Sequence, residues 1–114
     1  MNILVVEDEF LVRDMIVEEL REAGFEVIEA ATGEEAMANC GDADVLFTDI
    51  RLPGSMTGWD IAERCRASHP DMPVIYATGY SHVEHRRVPG SRFFHKPYRA
   101  VQVIQAIREL TADS

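Results

Sequence analysis

The sequence predicts a single doubly wound α/β domain: five parallel strands in the order 2-1-3-4-5, each followed by a helix. Three observations carry that prediction. Strand-like and helix-like segments alternate along the 114 residues, the pattern of a parallel sheet with right-handed crossovers. The first, third and fourth strands are continuous apolar runs, as strands covered on both faces are. Four runs also stop at residues that can do chemistry. Ile3 to Val6 reaches Glu7 and Asp8, Val45 to Thr48 reaches Asp49, Val74 to Ala77 reaches Thr78, and Phe93 to His95 reaches Lys96.

The first strand, Asn2 to Val6, leads into a helix over about Phe10 to Ala23. There Val12, Ile16, Leu20 and Ala23 form one apolar stripe, while Glu18, Glu19, Arg21 and Glu22 face water. Gly24 follows as a C-terminal cap. After a second strand, Phe25 to Glu29, a short helix opens on Thr32, which with Glu35 reads as a capping box. The third strand is Ala43 to Thr48. The third helix starts near Thr57 and ends before Pro70, with Ile61, Ala62 and Cys65 inward. A fourth strand, Val74 to Ala77, precedes the weakest segment. Gly79 to Ser91 predicts a fourth helix of about two turns at most, poorly packed, because only Val83 and Val88 can anchor it. The fifth strand, Arg92 to Phe94, leads to a helix over Tyr98 to Leu110 with Val103, Ile107 and Leu110 inward.

Bulk properties exclude several functions. The length suits one domain over 1–114, with no second domain expected. A net charge of -9 argues against nucleic acid as a direct partner, since phosphate contacts need a basic face. It equally disfavours an anionic membrane surface. No apolar run approaches the roughly 18 residues of a membrane span, and Ile3 to Val6 is too short for the apolar core of a signal peptide, with no basic segment before it. A cytoplasmic protein is expected. Cys40 and Cys65 lack CxxC or His-paired metal spacing and read as reduced thiols.

Strand order 2-1-3-4-5 puts the first and third strands together at the topological switch point, where ligands bind in such folds. Asp8 and Asp49 then lie one strand apart, about 4.8 Å, close enough to share a cation. Clustered carboxylates repel one another, and a bound Mg²⁺ removes that penalty. Thr78 stands one strand beyond Asp49. Lys96 stands two strands away, about 10 Å, a gap only a long side chain can close. The chain holds ten arginines and one lysine, so a flexible point charge is required there rather than a planar fork. Asp49, at the centre, is the candidate nucleophile, since a carboxylate can attack phosphorus and form an aspartyl-phosphate. Magnesium and Lys96 would offset charge on the phosphoryl oxygens.

At this point the residues resemble the receiver domain of bacterial two-component response regulators, over essentially the whole chain. The matching pieces are VVEDE at 5–9, FTDIRLPG at 47–54, YATGY at 76–80 and FHKPY at 94–98. The resemblance implies a flavodoxin-like fold and a phospho-accepting switch, not an enzyme acting on other molecules. It implies Asp49 as phospho-acceptor and Asp8 as direct Mg²⁺ ligand, with Glu7 in the second shell or acting through water. The Arg51 backbone carbonyl is implied as a further ligand. Thr78 is implied as the switch hydroxyl, Lys96 as the phosphate-pairing lysine, Phe93 as the switch aromatic, and Lys96-Pro97 as a cis bond. A histidine kinase or histidine phosphotransfer protein is the implied phosphodonor. Output is implied at the face of the fourth helix, fifth strand and fifth helix, where a homodimer stays open. The stretch PVIYATGY at 73–80 is similar to the FATGUY variant of the family, with Tyr76 in place of that motif's first Phe.

Departures from the family pattern are Phe93 for the frequent tyrosine, a loop one residue longer after Pro53, and a short span from Thr78 to Lys96. Arg51 and Tyr80 are expected to flank the path of hydrolytic water. Other readings weigh less. An aspartyl phosphatase resembling the haloacid dehalogenases needs a second acid where Arg51 stands. A flavin module needs a hydroxyl-rich loop where Glu7, Asp8 and Glu9 would repel phosphate. A receiver acting only as a binding module would not need the complete acid, Thr and Lys set. Trp59 reads as a packing residue, and His82 and His85 as solvated. Arg86, Arg87 and Arg92 form a local basic patch, either a docking surface or solvated. The pathway served, the cognate kinase and the downstream partner are not encoded in these motifs.

Overall fold

Five parallel strands form one sheet, in the order β2-β1-β3-β4-β5. The structure, a computed structural model, describes residues 1–79 and 86–112. Its elements are β1 (Asn2–Val6), α1 (Phe10–Glu22), β2 (Glu26–Ala30), α2 (Gly33–Asn39), a 3-10 turn (Cys40–Asp42), β3 (Val45–Asp49), α3 (Gly58–Ser68), β4 (Val74–Thr78), β5 (Arg92–His95) and α4 (Ala100–Thr111). Each strand boundary falls within two residues of the expected one. The helix expected fifth in the chain is therefore α4. Residues 80–85 of the fourth-helix expectation, with His82, Val83 and His85, lie outside the described residues. Of its remainder, Arg86 to Ser91 carries a turn at Pro89-Gly90 and no helix, with Val88 buried as its anchor.

Burial explains the order. β3 and β4 are buried at every position, and β1 at all but its first. The two strands lacking continuous apolar runs, β2 and β5, are the edges. Alternate residues feed two cores. Leu4, Val6, Leu46 and Tyr76 pack with α2 and α3 on one face. Ile3, Val5, Phe47 and Ile75 pack with α1 and α4 on the other, through Ile16, Leu20, Val103 and Ile107. Gly24 caps α1 at φ +98°, a conformation costly for any residue with a Cβ. Thr32 caps α2 by accepting from the Glu35 amide, and the Glu35 carboxylate reaches back to the Ala31 amide. No helix among the described residues is long and apolar enough to cross a membrane.

Cys40 and Cys65, expected as thiols, lie against each other, their Cα atoms 5.8 Å apart. The reason is tertiary: the end of α2 and α3 pack in the same layer, which brings two distant positions together.

Candidate functional site

The pairing register brings the strand ends into line. Val6 pairs with Thr48, and Asp49 with Ala77, so Glu7 and Asp49 leave the sheet at one level and Thr78 one residue beyond it. Thr78 pairs with His95, which sets Lys96 just beyond it. The Lys96 amide also donates to the Thr78 carbonyl at 2.7 Å, fixing the start of the lysine side chain. The Lys96-Pro97 peptide is cis.

From that position Lys96 reaches back across β4. Its Nζ donates to Glu7 Oε1 at 2.7 Å and to Asp49 Oδ2 at 3.0 Å. Asp49 is nearly buried, and its other oxygen, Oδ1, accepts from the Ile50 amide at 2.7 Å. Glu7 is buried as well, and its Oε2 accepts from the Glu9 amide at 3.1 Å. Asp8, between them in sequence with Glu9, is exposed. One oxygen from each of Glu7, Asp8 and Asp49 lies within 4.8 Å of the others.

Electrostatics follow from this crowding. Burial opposes the Lys96 ammonium, but its hydrogen bonds to Glu7 and Asp49 outweigh that and hold its pKa above the usual value. Burial pushes the Glu7 carboxyl up, against the Lys96 hydrogen bond that pulls it down. Tyr98, which packs edge-on against Phe47 at 5.5 Å, is pushed up to about 12 by burial and by the Glu7 charge. With all three acids ionised, one ammonium leaves two negative charges uncompensated. An all-oxygen donor set with that deficit fits Mg²⁺, which takes one or two carboxylates and keeps sites for water and phosphate.

Asp8, Glu9, Asp49, Arg51, Leu52, Gly79 and Lys96 line an open cleft of about 480 Å³. Thr78 is wholly buried at the end of β4, and the neighbouring Gly79 forms the cleft wall there. Phe93 is half-buried on β5, its ring 6.2 Å from Trp59 and 6.4 Å from Tyr76. Trp59 and Tyr76 themselves meet at 4.6 Å, so Trp59 is a packing residue as expected. Arg86, Arg87 and Arg92 do not form one patch. Arg86 pairs with Asp60 and Glu63 of α3, Arg87 with Ser91, and Arg92 with Glu109 of α4. Tyr80 lies outside the described residues.

Two contributors were not singled out from sequence. Gly58 opens α3 directly under the site, and its amide donates to the Ile50 carbonyl at 2.8 Å. A Cβ there would run into the Asp49 carbonyl oxygen. The available signal was a glycine at the first position of a helix, where nothing about helix formation asks for one. Arg13 is the other: its Nη1 donates to the Glu7 carbonyl at 2.8 Å.

The family model described as "Response regulator receiver domain" matches residues 3–108. Among curated proteins, the chain is 32% identical to the sensor kinase CckA of Brucella abortus, over 96% of this chain and 12% of that protein. It is 30% identical to the probable transcriptional regulatory protein TcrX of Mycobacterium tuberculosis, over 96% of this chain and 49% of that protein. The chain thus spans about half or less of the length of these relatives. Among solved structures it superimposes on a response regulator receiver protein from Sinorhizobium medicae with a TM-score of 0.91, at 30% identity, covering 96% of this chain and 93% of that one. The receiver domain of the hybrid histidine kinase CckA gives a TM-score of 0.80 at 32% identity, covering 96% and 98%.

Proposed function

The chain belongs to the response regulator receiver domain family, and on that premise we propose that Asp49 is its phospho-acceptor. The observation that carries this reading is the Lys96 ammonium lying between Glu7 Oε1 and Asp49 Oδ2 at the mouth of an acidic cleft. A carboxylate oxygen of Asp49 attacks the phosphorus of a phosphohistidine. The new P–O bond forms as the P–N bond breaks, and the imidazole leaves on the donor protein. Asp8 and Asp49 would hold Mg²⁺ directly, with the Arg51 carbonyl as a third protein ligand and Glu7 acting through water. Bound there, the ion neutralises charge on the transferring phosphoryl group. Lys96 pairs with a phosphoryl oxygen, and the Thr78 hydroxyl donates to another.

The added phosphoryl charge draws on Thr78 and Lys96, which lie at the ends of β4 and β5, and so biases Phe93 and residues 86–91 between two states. The face built by residues 86–91, β5 and α4 is where a downstream protein, or a second copy of the chain, would read the change. The phosphodonor is a histidine kinase or a histidine phosphotransfer protein, in the cytoplasm. Phe10 and Leu11 of α1 and Val101 of α4 are large, exposed and apolar; we assign the donor protein to that surface. Against nucleic acid stands the charge of -9.

Beryllofluoride with Mg²⁺, titrated while residue-resolved NMR is recorded, tests the assignment. Shifts are expected around Asp49, Thr78 and Lys96 and across 86–98 in the parent, and none in Asp49→Ala. A response that survives in Asp49→Ala would sink the reading.

A further inference from the structure

We propose that Arg13 is a positioning residue for the acid pair, its guanidinium holding the backbone carbonyl just before Asp8 so that the Asp8 carboxylate is presented before a cation arrives. The inference rests on the reading of Glu7, Asp8 and Asp49 as the magnesium site. The β1 ladder ends at Val6, paired with Ala30 on one side and Thr48 on the other. One residue further on, the Glu7 amide still donates to the Ala30 carbonyl at 3.0 Å. Its carbonyl is taken by Arg13 Nη1 at 2.8 Å. The Arg13 amide donates to the Glu9 carbonyl at 2.9 Å. The second of these is the first helical bond of α1, which any residue at 13 would make; the grip on the carbonyl just before Asp8 is the arginine side chain's own.

Glu29 of β2 fixes the guanidinium itself, accepting from Arg13 Nε at 3.2 Å. Arg21, a further two turns along α1, lies 3.6 Å from the other Glu29 oxygen. The Arg13 side chain is only 15% exposed, so the bridge is partly shielded from water. The Phe10 ring lies against the guanidinium at 5.5 Å. Two donors in one rigid plane, Nη1 to a carbonyl and Nε to a carboxylate, are what a guanidinium supplies and an ammonium does not. Magnesium demands near-ideal ligand geometry, so a loop held in place before binding gains affinity over one that must be ordered. Partners one bond removed from a metal typically change its affinity by 10- to 100-fold when lost.

Calorimetric titration with MgCl₂ alone tests this, without any phosphodonor. Arg13→Met is expected to weaken Mg²⁺ binding by about tenfold, and Arg13→Lys to recover only part of the loss. Ile107→Val, in the core under α4, serves as a destabilised control and is expected to bind Mg²⁺ as the parent does. Parent-like affinity in Arg13→Met overturns the inference, as does an equal loss in the control at a matched melting temperature. Asp8→Asn separates the two levels of the argument. If it abolishes binding while Arg13→Met does not, only the Arg13 role fails; if it leaves binding intact, the metal site itself is misplaced.

Discussion

Lys96 shows what one residue type at one position does for the whole site. It starts three strands from Glu7 and two from Asp49, yet ends 2.7 Å from the first and 3.0 Å from the second, so no shorter side chain would serve. Because its pKa is raised by the two carboxylates, its charge is present throughout the physiological range. Lys96→Met would leave the buried Glu7 carboxylate without its ammonium and Asp49 without a cation for the phosphoryl group. Phosphorylation is expected to slow on the order of 10²-fold, measured as the rate of phosphoryl incorporation from a small-molecule donor. Lys96→Arg is expected to restore little, since a planar fork needs a different geometry from a point charge. Unchanged rates in Lys96→Met would remove the lysine from the mechanism. The need for a long side chain was legible in the order of apolar runs. The sharing of Lys96 between Glu7 and Asp49 was not, nor was Arg13, because a carbonyl acceptor leaves no mark on residue identity.

Among the elements, α3 links the site to the crossover that follows β4. Thr57 and Asp60 cap it reciprocally: the Asp60 amide donates to Thr57 Oγ1 and the Thr57 amide to Asp60 Oδ2, at 3.3 and 2.9 Å. Asp60 Oδ1 also accepts from Arg86 of the crossover at 3.0 Å. Arg66 reaches Pro89 from the other end of the helix, and the Val88 amide donates to the buried Tyr76 hydroxyl. Polar tethers therefore hold 86–91 where the sequence offered little apolar anchoring. The Thr57 amide, and next Arg86, hold the Asp60 carboxyl below its ordinary 3.8. A lowered folded-state pKa gives stability that is present above the unfolded value and lost as pH falls through the folded one. Asp60→Ala is thus expected to cost about 1 kcal/mol at neutral pH, with the gap to the parent closing below about pH 4. A gap that stays constant from pH 7 to 2 in denaturant titrations would refute the capping role. The start of α3 was legible from Thr57. Its tethers were not, because Arg86 meets Asp60 across 26 residues of chain.

On the scale of the molecule, two edge strands and two helical layers leave one end of the sheet open, and chemistry collects there. The exposed apolar residues Phe10, Leu11 and Val101 lie on α1 and α4, the two helices of one layer. Leu11→Glu is expected to slow phosphoryl transfer from a kinase or phosphotransfer protein by about tenfold or more, as loss of a central apolar contact typically does. Its phosphorylation by a small-molecule donor should be unchanged. Equal effects with both donors would mean the substitution damages the site rather than the docking. By itself the sequence determined which strands are interior and the identity of the strand-end residues, because continuous apolar runs mark strands covered on both faces. The order 2-1-3-4-5 was the common one for such a fold, and the sheet pairing fixed it. Only the tertiary structure decided which side chains share a partner: Lys96 with both Glu7 and Asp49, Arg13 with the Glu7 carbonyl, Cys40 with Cys65. Each of these pairings depends on angles and distances between elements, and periodicity along one chain carries no information about them.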